Sequence, residues 1–410
     1  MQLLSRSGED TTVSNSSTVR AILDVRKLRR NRNGWKVSLG DTVVDMDLKR
    51  ITLGLVGLSF LLTNVACSSS AASFDGGTSG DGSTSADSGS SQADTGTNEP
   101  GTKRIMFGAD FDSNGSCRDH GTNDQCDLYT ATLKLSDGTV TDVKRATNTS
   151  VSESYPAWNP NLSVAYFTIF KDVRTKDLGY VDLRTGNTGV LISGASWAAV
   201  SPDGSTLLYA DSNKMLTTAS LSGGGLVVGT GAALTGVKEQ EDPDYSTDGR
   251  YIVFHEITST VGAVGQVYDT QTKKTASWGQ ESGHCGFGIN SLITLCDNST
   301  GGGIQSRLYH EGTFGDASLF LADLKASAIS VYDSTFAPCQ GVSFNYPTFC
   351  GDDQHLLVST SCNQNGEVTF SRLFLIELTG STPIYRPIGK TLAETYGGTG
   401  KSSWTVACLK

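Results

Sequence analysis

The chain has 410 residues, 37% of them hydrophobic and 18% charged, with 47 glycines. That balance excludes a body of long charged helices and suits many short strands joined by glycine-rich turns. The net charge of −10 is unevenly spread: residues 1–66 hold 10 Lys and Arg against 6 Asp and Glu, and the remainder carries −14. A body this acidic repels phosphates and anionic lipid, which argues against nucleic acid as a partner.

The first predicted element is an export signal. Lys49 and Arg50 precede an apolar run from Ile51 to Leu62, followed by Thr63, Asn64, Val65, Ala66 and Cys67. A charged region, a short apolar region and a small-residue cleavage site make up a secretory signal. The run has about 12 residues, short of the roughly 20 a membrane-spanning helix needs. Ala66 before Cys67 resembles the lipobox of bacterial lipoproteins, in which the cysteine is acylated and becomes the mature N-terminus. Asn64 departs from the aliphatic residue of that family. The resemblance implies a lipid on Cys67 and an outer-membrane location, on the periplasmic or cell-surface side.

Residues 1–45 precede this signal, and Met46 would start a signal of ordinary length. The expected division is therefore a non-native or unstructured extension at 1–45 and a signal peptide at 46–66. From Cys67 to about Pro100 the chain runs in Ser, Gly, Asp, Thr and Ala, with Phe74 its one large apolar residue. Such a segment buries too little surface to offset its conformational entropy, so 67–103 is expected to be a lipidated, disordered tether.

The rest, 104–410, is expected to be one all-β domain. Near its start, Asp110-Phe-Asp112-Ser-Asn114-Gly115 places oxygen ligands at alternate positions with Gly at the bend, as a calcium loop does. Gly121 stands where an EF-hand needs its bidentate Glu, so Asp119 or Asp124 would have to complete a different geometry. A solvated acidic turn explains the same residues without calcium, and no other cofactor is expected.

Setting Cys67 aside leaves eight cysteines: Cys117, Cys126, Cys285, Cys296, Cys339, Cys350, Cys362 and Cys408. An even number in an exported chain suggests disulfides. Cys285–Cys296 and Cys350–Cys362 take matching places in two repeats, Cys117–Cys126 closes a short loop, and Cys339–Cys408 is left by elimination. No C-x2-C pair supports zinc.

Four segments align without gaps, beginning at Tyr155, Trp197, Asp242 and Tyr346. Each reads as a short strand, a polar turn rich in Pro, Asp and Gly, and an apolar strand. Equivalent positions Trp158, Val200 and Tyr245 recur at spacings in the low forties, the period of propeller blades of about four strands. A degenerate fifth copy lies at Cys285–Cys296 around Phe287, with an insertion expected at Gly301-Gly302-Gly303 and beyond. Arg104-Ile-Met-Phe-Gly-Ala-Asp110 reads as a second strand with no first. Ser403-Trp-Thr-Val-Ala-Cys408 would supply it from the other end of the chain and leave no free edge. That count gives six blades, with seven if the insertion hides one.

Pro156-Ala-Trp-Asn-Pro, Ser201-Pro-Asp-Gly204 and Ser246-Thr-Asp-Gly249 resemble the repeat of TolB-like (WD40-like) propellers, a likeness covering about 104–410. TolB carries an α/β domain ahead of its propeller, where this chain has a tether, so TolB's own role does not carry over. Asp203 and Asp248 are expected to shape turns. Trp158, Tyr166, Phe167, Tyr209, Tyr245 and Phe254 are expected between blades.

The histidines are His120, His255, His284, His310 and His355. Metal-dependent polysaccharide lyases with similar propellers gather His ligands at the axis. That likeness would bring His255, His284 and His310 together; scattered packing roles are the plainer reading. No Gly-x-Ser-x-Gly elbow is present, and Gly223-Gly-Gly225 is a turn with no helix after it. No catalytic residue is assigned. The expected function is a membrane-anchored, monomeric, non-enzymatic binding or scaffold propeller that recognises a protein or glycan, the alternative being a metal-dependent lyase or hydrolase of extracellular polysaccharide.

Overall fold

The computed structural model describes 29–31, 34–39, 42–46 and 101–409, apart from 110–125, 161–162, 173–174, 259–261, 298–302, 317, 322–323, 366, 381 and 397–401. The chain divides into two compact units, Met1–Asp87 and Ser88–Lys410. In the first, Arg29–Asn31, Gly34–Leu39 and Thr42–Met46 form a three-stranded antiparallel meander. Regular structure was not expected there, although Trp35, Val37 and Leu39 alternate with polar neighbours as a strand requires. The apolar run 51–62, Cys67 and the tether up to residue 100 lie outside the described residues.

The second unit is built from six antiparallel sheets. Each contributes its first strand to one shared axial cavity, so the unit is a six-bladed β-propeller. In the order inner to outer, blade 1 is Ser402–Cys408, Thr102–Ala109, Asp127–Lys134 and Val140–Arg145. Its innermost strand comes from the C-terminal end of the chain, as expected, with Cys408 opposite Ile105 and Val406 opposite Phe107. Blade 2 is Ser152–Trp158, Val164–Phe170, Lys176–Asp182 and Asn187–Ser193. Blade 3 starts with Ser196–Val200 and blade 4 with Gln240–Tyr245. Blade 5 starts with Cys285–Phe287 and blade 6 with Gly341–Phe349.

The second strand of each blade explains the apolar runs. A strand with a neighbouring blade on both faces is buried on both, so it loses polar alternation. In Val164–Phe170, Val164 and Tyr166 pack against blade 3, while Ala165, Phe167 and Ile169 pack against blade 1. In Tyr251–Thr258, Ile252 and Phe254 face blade 3 and Tyr251 and Val253 face blade 5. One apolar cluster fills each of the six gaps between blades.

The repeated turns join the first and second strands of a blade. Ser201 Oγ donates to Asp203 Oδ1 at 2.6 Å and accepts from Thr206 N–H at 2.9 Å; Ser246, Asp248 and Tyr251 do the same one blade on. Gly204 and Gly249 close these turns at φ of 73° and 71°, a conformation that costs little only for glycine. Asp203 and Asp248 therefore shape turns.

The expected insertion lies elsewhere. In blade 5 Gly303 leads directly into the third strand, Ile304–His310. The extra chain comes after the blade's last strand, Ser318–Leu321. There a short helix, Ala326–Ile329, and a 3-10 turn, Ser334–Phe336, put Ile329 and Phe336 into the core between blades 5 and 6.

Two of the expected disulfides are corrected. Cys285–Cys296 forms, the two residues being directly opposed in a hairpin. Cys350, however, bonds Cys408, and Cys362 bonds Cys339. The register of blade 6 is the reason. Phe349, just before Cys350, is opposite Leu356, whereas Cys362 is opposite Val342. Six residues along a strand separate the two by about 20 Å, beyond any disulfide's reach. Cys126 is also disulfide-bonded; its expected partner Cys117 lies outside the described residues. These bonds mark an extracytoplasmic protein.

Candidate functional site in the axial channel

The first residue of each aligned segment has an unusual backbone. Tyr155, Trp197, Asp242 and Tyr346 have φ of 54°, 47°, 49° and 53°, and each sits at a break in the register between the first and second strands. A β-bulge re-aims a side chain, and left-handed backbone at a large residue costs on the order of 1–3 kcal/mol. The same device in four blades turns four side chains into the channel. The corresponding residue of blade 5, three before Phe287 as Asp242 is three before Tyr245, is His284.

These five residues form the inner end of a cavity of about 540 Å³ that extends to the turns at Pro160, Pro202 and Thr247. Tyr155 and Tyr346 meet hydroxyl to hydroxyl at 2.9 Å, and the Tyr155 ring stands edge-on to Trp197, with centroids 5.9 Å apart. The His284 ring lies 3.5 Å from the Tyr346 ring, centroid to centroid. Lys176 Nζ lies 3.5 Å from the centroid of Trp197.

Charge is concentrated on one side of this end. His284 Nε2 is 3.1 Å from Asp242 Oδ2 and its Nδ1 is 3.0 Å from Asp297 Oδ2. His255 stands behind, its Nδ1 3.6 Å from the same Asp242 oxygen and its Nε2 3.5 Å from Glu241. Lys214 Nζ reaches Glu239 at 2.8 Å and Glu241 at 3.1 Å. Burial raises Asp242 above the ordinary carboxylate range, against the pull of His284 and His255. Burial acts the same way on Glu241, but His255 and Lys214 outweigh it and hold Glu241 low.

The wall carries no long basic side chain. Five of the lining residues are prolines, two are the carboxylates Asp242 and Asp244, and none is Lys or Arg. Asp244 accepts the Phe287 N–H from the next blade at 3.3 Å. Trp158 spends its indole N–H on the Ala407 carbonyl at 3.2 Å, which leaves ring surface rather than a donor. The chemistry on offer is stacking on the rings and hydrogen bonding to the two carboxylates.

Of the residues singled out in the sequence, Tyr166, Phe167, Tyr209 and Phe254 are core. Tyr245 packs between blades 3 and 4 and Trp158 between blades 1 and 2, and both also line the channel. His255 and His284 come together, ring centroids 5.6 Å apart. His310 does not join them: it is exposed at the end of its strand, opposite Thr313. His355 is tied to Asp352 at 2.9 Å. Asp110, Asp112, Asn114, Asp119, His120 and Asp124 lie outside the described residues. Among the described residues no group of three or more His, Cys, Asp or Glu is arranged to hold a metal ion. The sequence reading passed over Tyr155, Asp242 and Tyr346 as ligand-facing residues, although each heads its copy of the repeat.

No protein-family model and no curated protein matches the sequence. Among solved structures, the Acinetobacter baumannii TolB structure is 15% identical over 70% of this chain and 63% of its own, with a TM-score of 0.49. TolB is one of its structural neighbours. This chain thus spans less than two thirds of the TolB chain's length. A nidogen/laminin complex chain matches at 10% identity over 76% of this chain and 99% of its own, TM-score 0.47. An oligogalacturonate lyase in complex with manganese matches at 13% over 63% and 71%, TM-score 0.40. At such identities the likeness is one of fold, and the ring of six sheets is what defines the body.

Proposed function

We propose that this protein is an extracytoplasmic binding propeller, anchored to a membrane by a lipid on Cys67, that takes a saccharide into its axial channel. The observation that carries this reading is the lining: aromatic surface beside five prolines and two carboxylates, without a lysine or arginine among them. A ligand suited to it has an apolar face and many donors of its own. Saccharides meet both conditions, with C–H faces that stack on rings and hydroxyls that donate to carboxylates. Acidic glycans are disfavoured, since Asp242 and Asp244 would repel them.

The test is a glycan array probed with the full chain, wild type and with Trp158→Ala. The expected result is retention on uncharged or basic glycans, weakened about tenfold or more by the substitution, as loss of a stacking ring implies. Preference for acidic glycans, or binding that ignores Trp158, would sink the saccharide reading. Acylation is tested separately by the mass of the membrane-extracted protein, which should begin at a lipid-bearing Cys67.

A second reading, an enzyme acting on extracellular polysaccharide, is favoured by one observation: His255 and His284 converge on Asp242 in the channel. It requires new reducing ends from a bound glycan, lost in Asp242→Asn.

A further inference from the structure

His284 lies between two acceptors. Its Nε2 is 3.1 Å from Asp242 Oδ2 and its Nδ1 is 3.0 Å from Asp297 Oδ2. A neutral imidazole has one N–H, so the second contact needs a second proton. Asp297 Oδ2 also accepts the Tyr346 N–H at 3.1 Å, so that N–H and His284 Nδ1 meet at one acceptor oxygen. The extra proton therefore sits between Asp242 and His284, and the burial that raises Asp242 acts in the same direction.

The inner end of the channel thus draws in positive charge. The groups that face Asp242 are Glu241 on its own strand, His255 from the neighbouring strand, His284 from blade 5 and Lys176 from blade 2. Asp297 stands behind His284, and Lys214 behind Glu241. Lys176 already presents an ammonium to the Trp197 ring at 3.5 Å, as cations sit against aromatic faces. His255 is only 5% exposed, and its Nδ1 has no hydrogen-bond partner. It points to Asp242 from 3.6 Å, too far for a bond. Asp242 itself lines the cavity together with the rings of Tyr155, Trp197 and Tyr346.

We infer that this end of the channel is an ammonium site. The saccharide it takes is an amino sugar whose charged nitrogen sits at Asp242 beside the aromatic rings and replaces the proton shared by Asp242 and His284. The inference rests on the saccharide reading above and adds the charge of the ligand. Binding then releases a proton. Cation affinity falls as pH falls, by about tenfold per pH unit across the range in which the pair is protonated, because one proton competes with one cation.

Calorimetry on the full chain tests this with three probes: a glucosamine tetrasaccharide, its fully N-acetylated and uncharged counterpart, and choline, whose charge does not titrate. Buffers of different ionisation enthalpy count the protons exchanged. The expected result is at least tenfold tighter binding of the glucosamine tetrasaccharide than of the acetylated one. Choline should bind with proton release and more tightly as pH rises. Asp242→Asn should abolish the preference for charge, while Trp158→Ala should weaken both tetrasaccharides alike. Equal binding of the two tetrasaccharides, or choline binding without proton release, overturns the inference and leaves the saccharide reading standing. Binding of choline with proton release by a protein that retains no glycan on the array upholds the ammonium site and removes the saccharide reading. The choline measurement needs only wild-type protein, so poor folding of a variant does not decide the outcome.

Discussion

Glu153 is 1% exposed, in blade 2 beside the Asp127–Arg145 ion pair, and its Oε2 has no hydrogen-bond partner. Burial raises its pKa to about 7, against hydrogen bonds from Thr147 and Thr149 that favour the ionised form. Below the ordinary value of 4.5 both folded and unfolded chains hold the proton; above about 7 neither does. In between, the folded chain keeps a proton the unfolded chain has lost, so stability is full at the acid end and declines as pH rises through about 7. The whole shift is worth up to about 3 kcal/mol. Glu153→Gln should remove this dependence, making the variant more stable than wild type at pH 8 and about equal to it near pH 4. Urea unfolding at the two pH values measures it, and parallel curves for both proteins would show that the carboxyl is solvated.

At the scale of the element, the turn between the first and second strands is the unit the repeat preserves. A Cβ on Gly249 would come within 3.3 Å of Pro202 Cδ in the preceding blade, at a φ that L residues seldom adopt. Gly249→Ala should therefore cost about 1–2 kcal/mol by chemical denaturation, mostly as backbone strain. An unchanged midpoint would mean that the turn relaxes freely. Hairpins are also where the sequence reading of the cysteines succeeded and failed. Cys285 and Cys296 flank a short turn symmetrically, so separation alone pairs them. Cys350 and Cys362 have nearly the same separation, but the blade 6 strand runs from His355 to Gln364 and carries Cys362 far beyond the turn.

At the scale of the molecule, the ring is closed by pairing the last strand of the chain with one near the start of the body, and Cys350–Cys408 links that last strand to blade 6. The bond spans 58 residues, for which loop-closure entropy gives about 4 kcal/mol. Replacing Cys350 and Cys408 together by Ser should lower the thermal midpoint by several degrees or more and let the C-terminal strand open first, seen as early hydrogen exchange in residues 402–408. Retention of the wild-type midpoint would mean that the apolar cluster between blades 6 and 1 closes the ring unaided.

The sequence by itself determined the propeller and the C-terminal strand that completes blade 1, while the choice of six blades over seven came from the ring of six sheets. The first two follow from local facts: turn chemistry at Ser201–Gly204 and Ser246–Gly249, apolar runs such as Val164–Phe170, and a period that repeats down the chain. Tertiary structure alone decided the channel. Trp158 and Tyr245 carry the apolar character of core residues, and only closure of the ring put them on a cavity wall. Tyr155, Trp197, Asp242, His284 and Tyr346 lie tens of residues apart and are of four different residue types. Four of them share a bulged position on a strand that faces the axis, and His284 holds the matching place just before its strand; sequence spacing marks these positions without saying where they point. The partners of His284 follow the same logic, for Asp242 and Asp297 come from different blades, and their meeting at one imidazole depends on how those blades pack around the axis.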